Sequence, residues 1–193
     1  MSYSQLYAYT QSCTAHIKRT HLITKAAEVT GGPAVKLFES GMDVTIIRGM
    51  FLRADGDNKF ARMAAGRPVI VIARDQPSEW KRFVTIKELM HVFDRPLEYV
   101  GTAADFVTLV EELTGPAADG KYSPGLISEG MAFYKALGVL CPELRRQEYA
   151  RRLREGDVTP ARIADELKIP ESYVHLLLGP HFKGMVTAAL EDE

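Results

Sequence analysis

Cysteine is scarce in this chain: among 193 residues only Cys13 and Cys141 occur, far apart and in no C-x-x-C pair. Reduced thiols in a cytosol are therefore the expectation. Net charge is nearly absent, −1 at pH 7, with a pI of about 6.5. No global attraction to nucleic acid or to an anionic membrane is built in. No uninterrupted apolar run approaches the roughly 20 residues that span a bilayer. Residues 1–19 lack a basic stretch followed by an apolar one, so no secretory leader is expected and a cytoplasmic location is. G-x-S-x-G, the P-loop and the dinucleotide-binding G-x-G-x-x-G are all missing. Gly31-Gly32-Pro33 is too short to cradle a phosphate and reads as a helix stop.

What is present can build a core. Hydrophobic residues make up 46% and charged residues 25%, a globular balance without a disorder signature. The length suits one sizeable domain, or one with a helical appendage. Residues 3–29 carry helical periodicity in Leu6, Tyr9, Cys13, Ile17, Leu22 and Ala26. A short helix is expected from Ala34 to Ser40, then a β-branched strand over Asp43-Val44-Thr45-Ile46-Ile47, with Phe51-Leu52 continuing a hairpin around residues 54–58. Val69-Ile70-Val71-Ile72-Ala73 is the best strand of the chain. Ser78 is placed to cap a helix over about 79–93, ended by Arg95-Pro96. Beyond it the pattern is helical. Thr102 caps 103–113, Ser123-Pro124 opens an apolar helix over about 125–140, and Pro142 restarts a charged helix that runs to Gly156. Thr159-Pro160, Pro170 and Pro180 punctuate the remainder.

Inside the helix at 79–93, residues 87–91 read Lys87-Glu88-Leu89-Met90-His91. The pattern H-E-x-x-H sets two imidazoles one turn apart, both reaching one Zn²⁺, with the glutamate as general base on the metal-bound water. Glu88 and His91 hold the second and fifth positions. The first is lysine, a poor zinc ligand near neutral pH. Phe83, Ile86, Leu89, Met90 and Phe93 give this helix an apolar side, while Lys87, Glu88 and His91 sit together at i, i+1 and i+4. E-x-x-H alone arises by accident in many helices, so the plain alternative is a histidine satisfied by its surroundings. His16, His21, His175 and His181 have no metal-ligand spacing, although folding could bring His16 or His21 near His91.

The wider stretch adds to this. Val69-Ile70-Val71-Ile72, a short loop, and then Arg82-Phe83-Val84-Thr85-Ile86-Lys87-Glu88-Leu89-Met90-His91 resembles the core of the ImmA/IrrE metallopeptidases, where a strand precedes a helix reading roughly R-F-T-x-A-H-E-x-G-H. Downstream, Glu129-Gly130-Met131-Ala132-Phe133-Tyr134-Lys135-Ala136, running on to Val139-Leu140-Cys141-Pro142, is similar to the family helix that carries the third zinc ligand, a glutamate. Residues 164–170 are similar to its helical tail, and the resemblance covers roughly residues 43–178. It implies an α+β fold: a zincin-like core with a small antiparallel sheet, a motif helix and a mostly helical C-terminal half. It also implies Glu88 as general base, His91 and Glu129 as ligands, and a helix-turn-helix repressor of phage, mobile-element or stress genes as substrate or partner. The departures are Lys87 for the first histidine, Met90 for the motif glycine, Phe133 for an asparagine and a longer segment between His91 and Glu129. Two protein ligands hold zinc weakly, so the expected cofactor is none, or weakly bound zinc.

Lysine at the vacated position has a physical logic. Carboxylates left in a cleft without their metal repel each other, and an ammonium there supplies the missing positive charge. The bland alternative is a Lys87 that points into solvent. The tail offers another class of function. Residues 159–174 have the cadence of a helix-turn-helix, but the second helix presents Glu171, Ser172, Tyr173 and His175 rather than base-reading Arg, Lys, Asn or Gln. The basic cluster Arg145, Arg146, Arg151, Arg152 and Arg154 is interleaved with Glu143, Glu148 and Glu155, and reads as an ion-paired face. Direct nucleic-acid binding and membrane contact are not expected. A protein partner is.

The expected organisation is N-terminal helices over 1–40, the core over 41–142 and a helical subdomain over 143–193, in a single compact unit. The expected function is that of a degenerate metallopeptidase acting as a regulatory protein-binding module. Glu88 is its vestigial base, Lys87 replaces the first ligand, and His91 with Glu129 forms an incomplete metal site. Two alternatives stay open: an active zinc endopeptidase that cleaves a helix-turn-helix repressor, and a DNA-binding regulator acting through residues 159–178.

Overall fold

The computed structural model describes residues 2–14, 16–55, 59–100, 103–115 and 122–191. Its centre is set by the five apolar residues of β3 (Val69–Ala73), each with 0% exposure. A strand with no polar side chain is stable only when both faces are covered. Within the sheet it is flanked by β1 (Lys36–Ser40), parallel to it, and β2 (Gly49–Leu52), antiparallel, in the order β1-β3-β2. The fold is α+β, and the sheet is mixed, not antiparallel as expected.

Two local expectations fail for identifiable reasons. Residues 36–40, expected as helix, pair along the whole of β3, from Lys36 opposite Val69 to Ser40 opposite Ala73. Long-range pairing overrides a segment whose own propensity is indifferent. Residues 43–47, expected as strand, form a turn. The Asp43 carboxylate accepts from the Thr45 N–H at 2.9 Å and the Thr45 hydroxyl at 2.7 Å. The Asp43 carbonyl accepts from Ile46 and Ile47 at 3.0 and 2.9 Å. This closure outcompetes the β-branched propensity, and Ile46 is left 81% exposed. Phe51-Leu52 lies in β2 but pairs with β3 rather than with a hairpin at 54–58, and residues 56–58 lie outside the described residues.

The helical run over 3–29 divides into α1 (Tyr3–Gln11) and α2 (Arg19–Thr30), with Gly31 in the left-handed region at φ 66° ending the latter. A short α3 (Lys59–Met63) precedes β3. The motif helix is α4 (Ser78–Leu89), which tightens into a 3₁₀ turn over Met90–Phe93. Ser78 is its first residue rather than its cap; Pro77 takes the cap position and no side chain bonds there. After a second 3₁₀ turn (Pro96–Glu98) comes α5 (Ala103–Thr114), whose expected cap, Thr102, lies outside the described residues, as do residues 116–121. The Ser123 hydroxyl accepts from the Leu126 N–H at 3.2 Å and opens α6 (Pro124–Leu140). Then follow α7 (Glu143–Glu155), α8 (Pro160–Leu167) capped by Thr159, a 3₁₀ turn (Glu171–Tyr173), α9 (Val174–Leu178) and α10 (Phe182–Glu191).

One hydrophobic cluster runs from Tyr3 in α1 to Ala189 in α10, through Ile70 and Ile72 of β3, Phe83 and Ile86 of α4, and Leu137 of α6. The opposite face of β3, Val69 and Val71, packs with Ala64 in a smaller cluster. On α6 the buried small residues Ala132 and Ala136 let that helix approach α4 closely. This approach places the first turns of α6 beside the end of α4. No described helix is long and apolar enough to cross a membrane.

Candidate functional site

At that junction α4 and its 3₁₀ extension supply Lys87, Glu88 and His91, and α6 supplies Ser128 and Glu129. The Lys87 ammonium donates to Glu88 Oε1 at 3.1 Å and to Glu129 Oε2. The other Glu129 oxygen lies 3.3 Å from His91 Nε2, and Glu88 Oε2 lies 3.9 Å from the same nitrogen. Neither contact to Nε2 is aligned as a hydrogen bond, so that nitrogen is buried without a directed partner. The four residues singled out in the sequence thus meet in one cluster. Lys87 points inward, with its side chain 17% exposed, rather than into solvent.

Two members of the cluster escaped the sequence reading. Asp94 Oδ2 lies 2.6 Å from His91 Nδ1, and the Ser128 hydroxyl donates to the same carboxylate oxygen at 2.7 Å. Asp94 follows His91 by three residues and Ser128 precedes Glu129, so both were visible as neighbours of motif residues. A carboxylate on Nδ1 fixes the ring and turns Nε2 toward the Lys87–Glu129 pair. The same bracing orients metal-binding histidines.

The walls are tight and aromatic. Phe51 of β2 packs over the His91 ring with centroids 6.2 Å apart, and Tyr99 stacks on Phe51 at 6.4 Å. At Gly49 a Cβ would meet Val84 Cγ1 at 2.4 Å and Glu88 Cγ at 3.4 Å, so only glycine lets β2 lie this close to α4. Phe133 packs edge-on against Phe83 at 5.1 Å and Tyr173 at 4.6 Å. It therefore joins the core beneath the cluster instead of offering a polar group to it.

Electrostatics hold the cluster in a paired state. Burial works against the Lys87 charge, but Glu88 and then Glu129 outweigh it and keep the ammonium well above the usual lysine range. Burial likewise opposes charge on His91, but the Asp94, Glu129 and Glu88 carboxylates push it up to about 9. Burial would raise Glu129, yet its close contact with His91 and the charge of Lys87 bring it down to about 2. The carboxylates around His91 thus favour its imidazolium form.

These residues do not fit a tight zinc site. A catalytic zinc takes three deprotonated protein ligands and a water. Here His91 and Glu129 are the two residues expected as ligands, and the Lys87 ammonium sits against both Glu88 and Glu129. Among the described residues no group of three or more His, Cys, Asp and Glu side chains is arranged to hold a metal ion. His16 and His21 are exposed and add nothing to the cluster. The Lys87 ammonium is ion-paired to two carboxylates at once, which favours its protonated form.

No family model, no curated protein and no solved structure matches this chain.

Proposed function

We propose that the chain is a degenerate relative of the ImmA/IrrE metallopeptidases, with a zincin-like core, that works by binding a protein partner rather than by cutting it. One observation carries the reading: the Lys87 ammonium lies against both Glu88 and Glu129, beside the Asp94-braced His91. A permanent internal cation does there what a divalent metal does in an intact H-E-x-x-H site, holding the two carboxylates together without supplying an activated water. Glu88 is then a vestigial general base. The resemblance makes a helix-turn-helix repressor the expected partner, in a cytoplasmic regulatory role.

The tail supports protein contact over base reading. α9 has five residues, and its Val174 and Leu177 are buried. Arg146 and Arg151 are ion-paired to Glu143 and Glu148 at 2.6 and 2.7 Å. A helix that short, with its apolar residues turned inward, presents little to a groove.

The active-peptidase reading has one observation in its favour, the Asp94 carboxylate that orients His91 as in working metal centres. Zinc titration of the wild type, Lys87→His and Lys87→Ala by calorimetry separates the readings. Wild type and Lys87→Ala should bind weakly. Lys87→His, with two imidazoles on one face and Glu129 opposite, should bind tighter by orders of magnitude and gain thermal stability in zinc. Equal, weak binding by all three proteins would remove the claim of a former metal site. Zinc-dependent cleavage of a helix-turn-helix repressor by the wild type, lost in Glu88→Gln and with chelator, would replace the binding reading with the enzymatic one.

A further inference from the structure

On the side of α4 away from this cluster lies a pair of cations with no carboxylate paired to either among the described residues. Arg82 is only 8% exposed. Its Nη1 donates to the Ile17 carbonyl at 2.8 Å, and its Nε is buried with no partner. Arg19, the first residue of α2, reaches back to the Thr85 hydroxyl at 3.5 Å, one turn beyond Arg82 on α4. The two guanidiniums cross the same junction in opposite directions. Among the described residues neither is ion-paired to a carboxylate, and each meets the other's charge; burial and Arg19 together lower Arg82 to about 10. The amino end of α2 opens at the same place. Its cap residue, Lys18, makes no side-chain cap bond, and its first turn holds no acid. Positive potential extends to His16, which burial, Arg82, Arg145 and Lys168 all lower.

We infer that Arg19, Arg82 and the amino end of α2 bind a phosphate group. A guanidinium taken out of water is stable only with its donors satisfied and its charge countered. The bond to Ile17 accounts for one Arg82 donor and for the anchoring of the α1–α2 connection. It leaves Nε orphaned and gives no reason to hold Arg19 alongside. An oxyanion accounts for both, and for the uncapped helix end, where N–H groups and the dipole favour negative charge. Donors arriving from two helices and a helix terminus suit the oxygens of a tetrahedral phosphate better than the planar fork of one carboxylate. This site is independent of the Lys87 cluster and of the function proposed for it.

The test is thermal unfolding of the full chain in sodium phosphate, glycerol phosphate, acetate and chloride at matched ionic strength. Phosphate should raise Tm saturably, by about 5 °C at a hundredfold excess over Kd. Arg19→Gln should lose that rise, while its Tm in chloride stays unchanged or increases because a like charge has gone. Arg82→Gln also releases the Ile17 carbonyl and can fail to fold, so Arg19→Gln is the deciding variant. A rise equal in both phosphate salts supports capture of free phosphate, and a larger one in glycerol phosphate supports a phosphoryl group carried on a small molecule. A phosphate effect no greater than that of acetate or chloride overturns the proposal. So does an Arg19→Gln protein that responds like the wild type.

Discussion

On one side of α4, Lys87, Glu88 and His91 meet Glu129 and Asp94, and every charge has an opposite charge within ion-pair reach; on the other side Arg82 meets Arg19. Both groups are built against one twelve-residue helix, α4, which supplies Lys87 and Glu88 to the first and the buried Arg82 to the second. The first balances its charges with side chains of this chain alone, although His91 Nε2 has no directed hydrogen bond. The second has a carbonyl, a hydroxyl and a repelling neighbour. A cluster that resembles a catalytic centre is electrostatically closed, while an arginine pair outside that cluster is open. Buried charge without a counter-charge is therefore a better pointer to a ligand here than the motif is.

That contrast breaks first at Lys87. Removing one partner of a buried ion pair costs about 3–5 kcal/mol when the other charge is left unpaired. The side chains of Lys87 and Glu129 retain 17% and 28% exposure, so Lys87→Ala should lose about 2–3 kcal/mol in urea unfolding at pH 7. If the loss comes from stranded carboxylates, Lys87→Ala/Glu129→Gln should lose less than the sum of the single variants, by about 1–2 kcal/mol. Additive losses would mean that the ammonium is held by packing rather than by charge.

The second test concerns fit. Gly49→Ala drives a methyl group into Val84 Cγ1 at 2.4 Å, an overpacking that should cost about 1–2 kcal/mol and loosen β2 against α4. The atoms that this methyl group would meet belong to Val84, Val71 and Glu88, not to Arg82 or Arg19. Gly49→Ala should therefore leave the phosphate response intact while lowering Tm. Loss of that response in Gly49→Ala would tie the two faces together and end the claim that they are independent.

How far the sequence carried depended on how local the cause was. β3 was legible because an uninterrupted Val-Ile run between breakers has one stable use. The caps at Ser123 and Thr159 were legible because capping is decided within four residues. β1 was not, since Lys36-Leu37-Phe38-Glu39-Ser40 becomes a strand only through its pairing with Val69–Ala73. The turn at Asp43 was misread because four β-branched residues masked one carboxylate placed to bond Thr45. In the cluster, Lys87, Glu88, His91 and Glu129 were visible as a motif and a register, but the direction of Lys87 was not. Asp94 stands at i+3 from His91, a spacing visible in the sequence, but its bond to Nδ1 depends on the tightening of the helix into a 3₁₀ turn. The Arg19–Arg82 pair was beyond reach, because nothing in the spacing of residues 19 and 82 says that α2 packs on α4.

The smallest effect is the one that pH should expose. His91 is pushed up to about 9 from an ordinary 6.5, so its folded pKa exceeds its unfolded one. The stability it contributes is fully present below about 6.5 and is lost as pH rises through 9. Glu129 acts in the other direction: lowered to about 2 from 4.5, it contributes stability above 4.5 that disappears as pH falls toward 2. Between those limits the cluster should be at full strength, and Tm should fall by a few degrees from pH 6.5 to 9.5. Asp94→Asn removes the carboxylate that most favours the imidazolium, so it should flatten the alkaline fall more than it changes the acid one. Nitrogen-15 NMR of the imidazole reads the same event directly. A His91 that titrates near 6.5 in the wild type would show that Asp94 and Glu129 do not hold it charged, and the paired description of this face of α4 would then fail at its histidine while standing at its lysine.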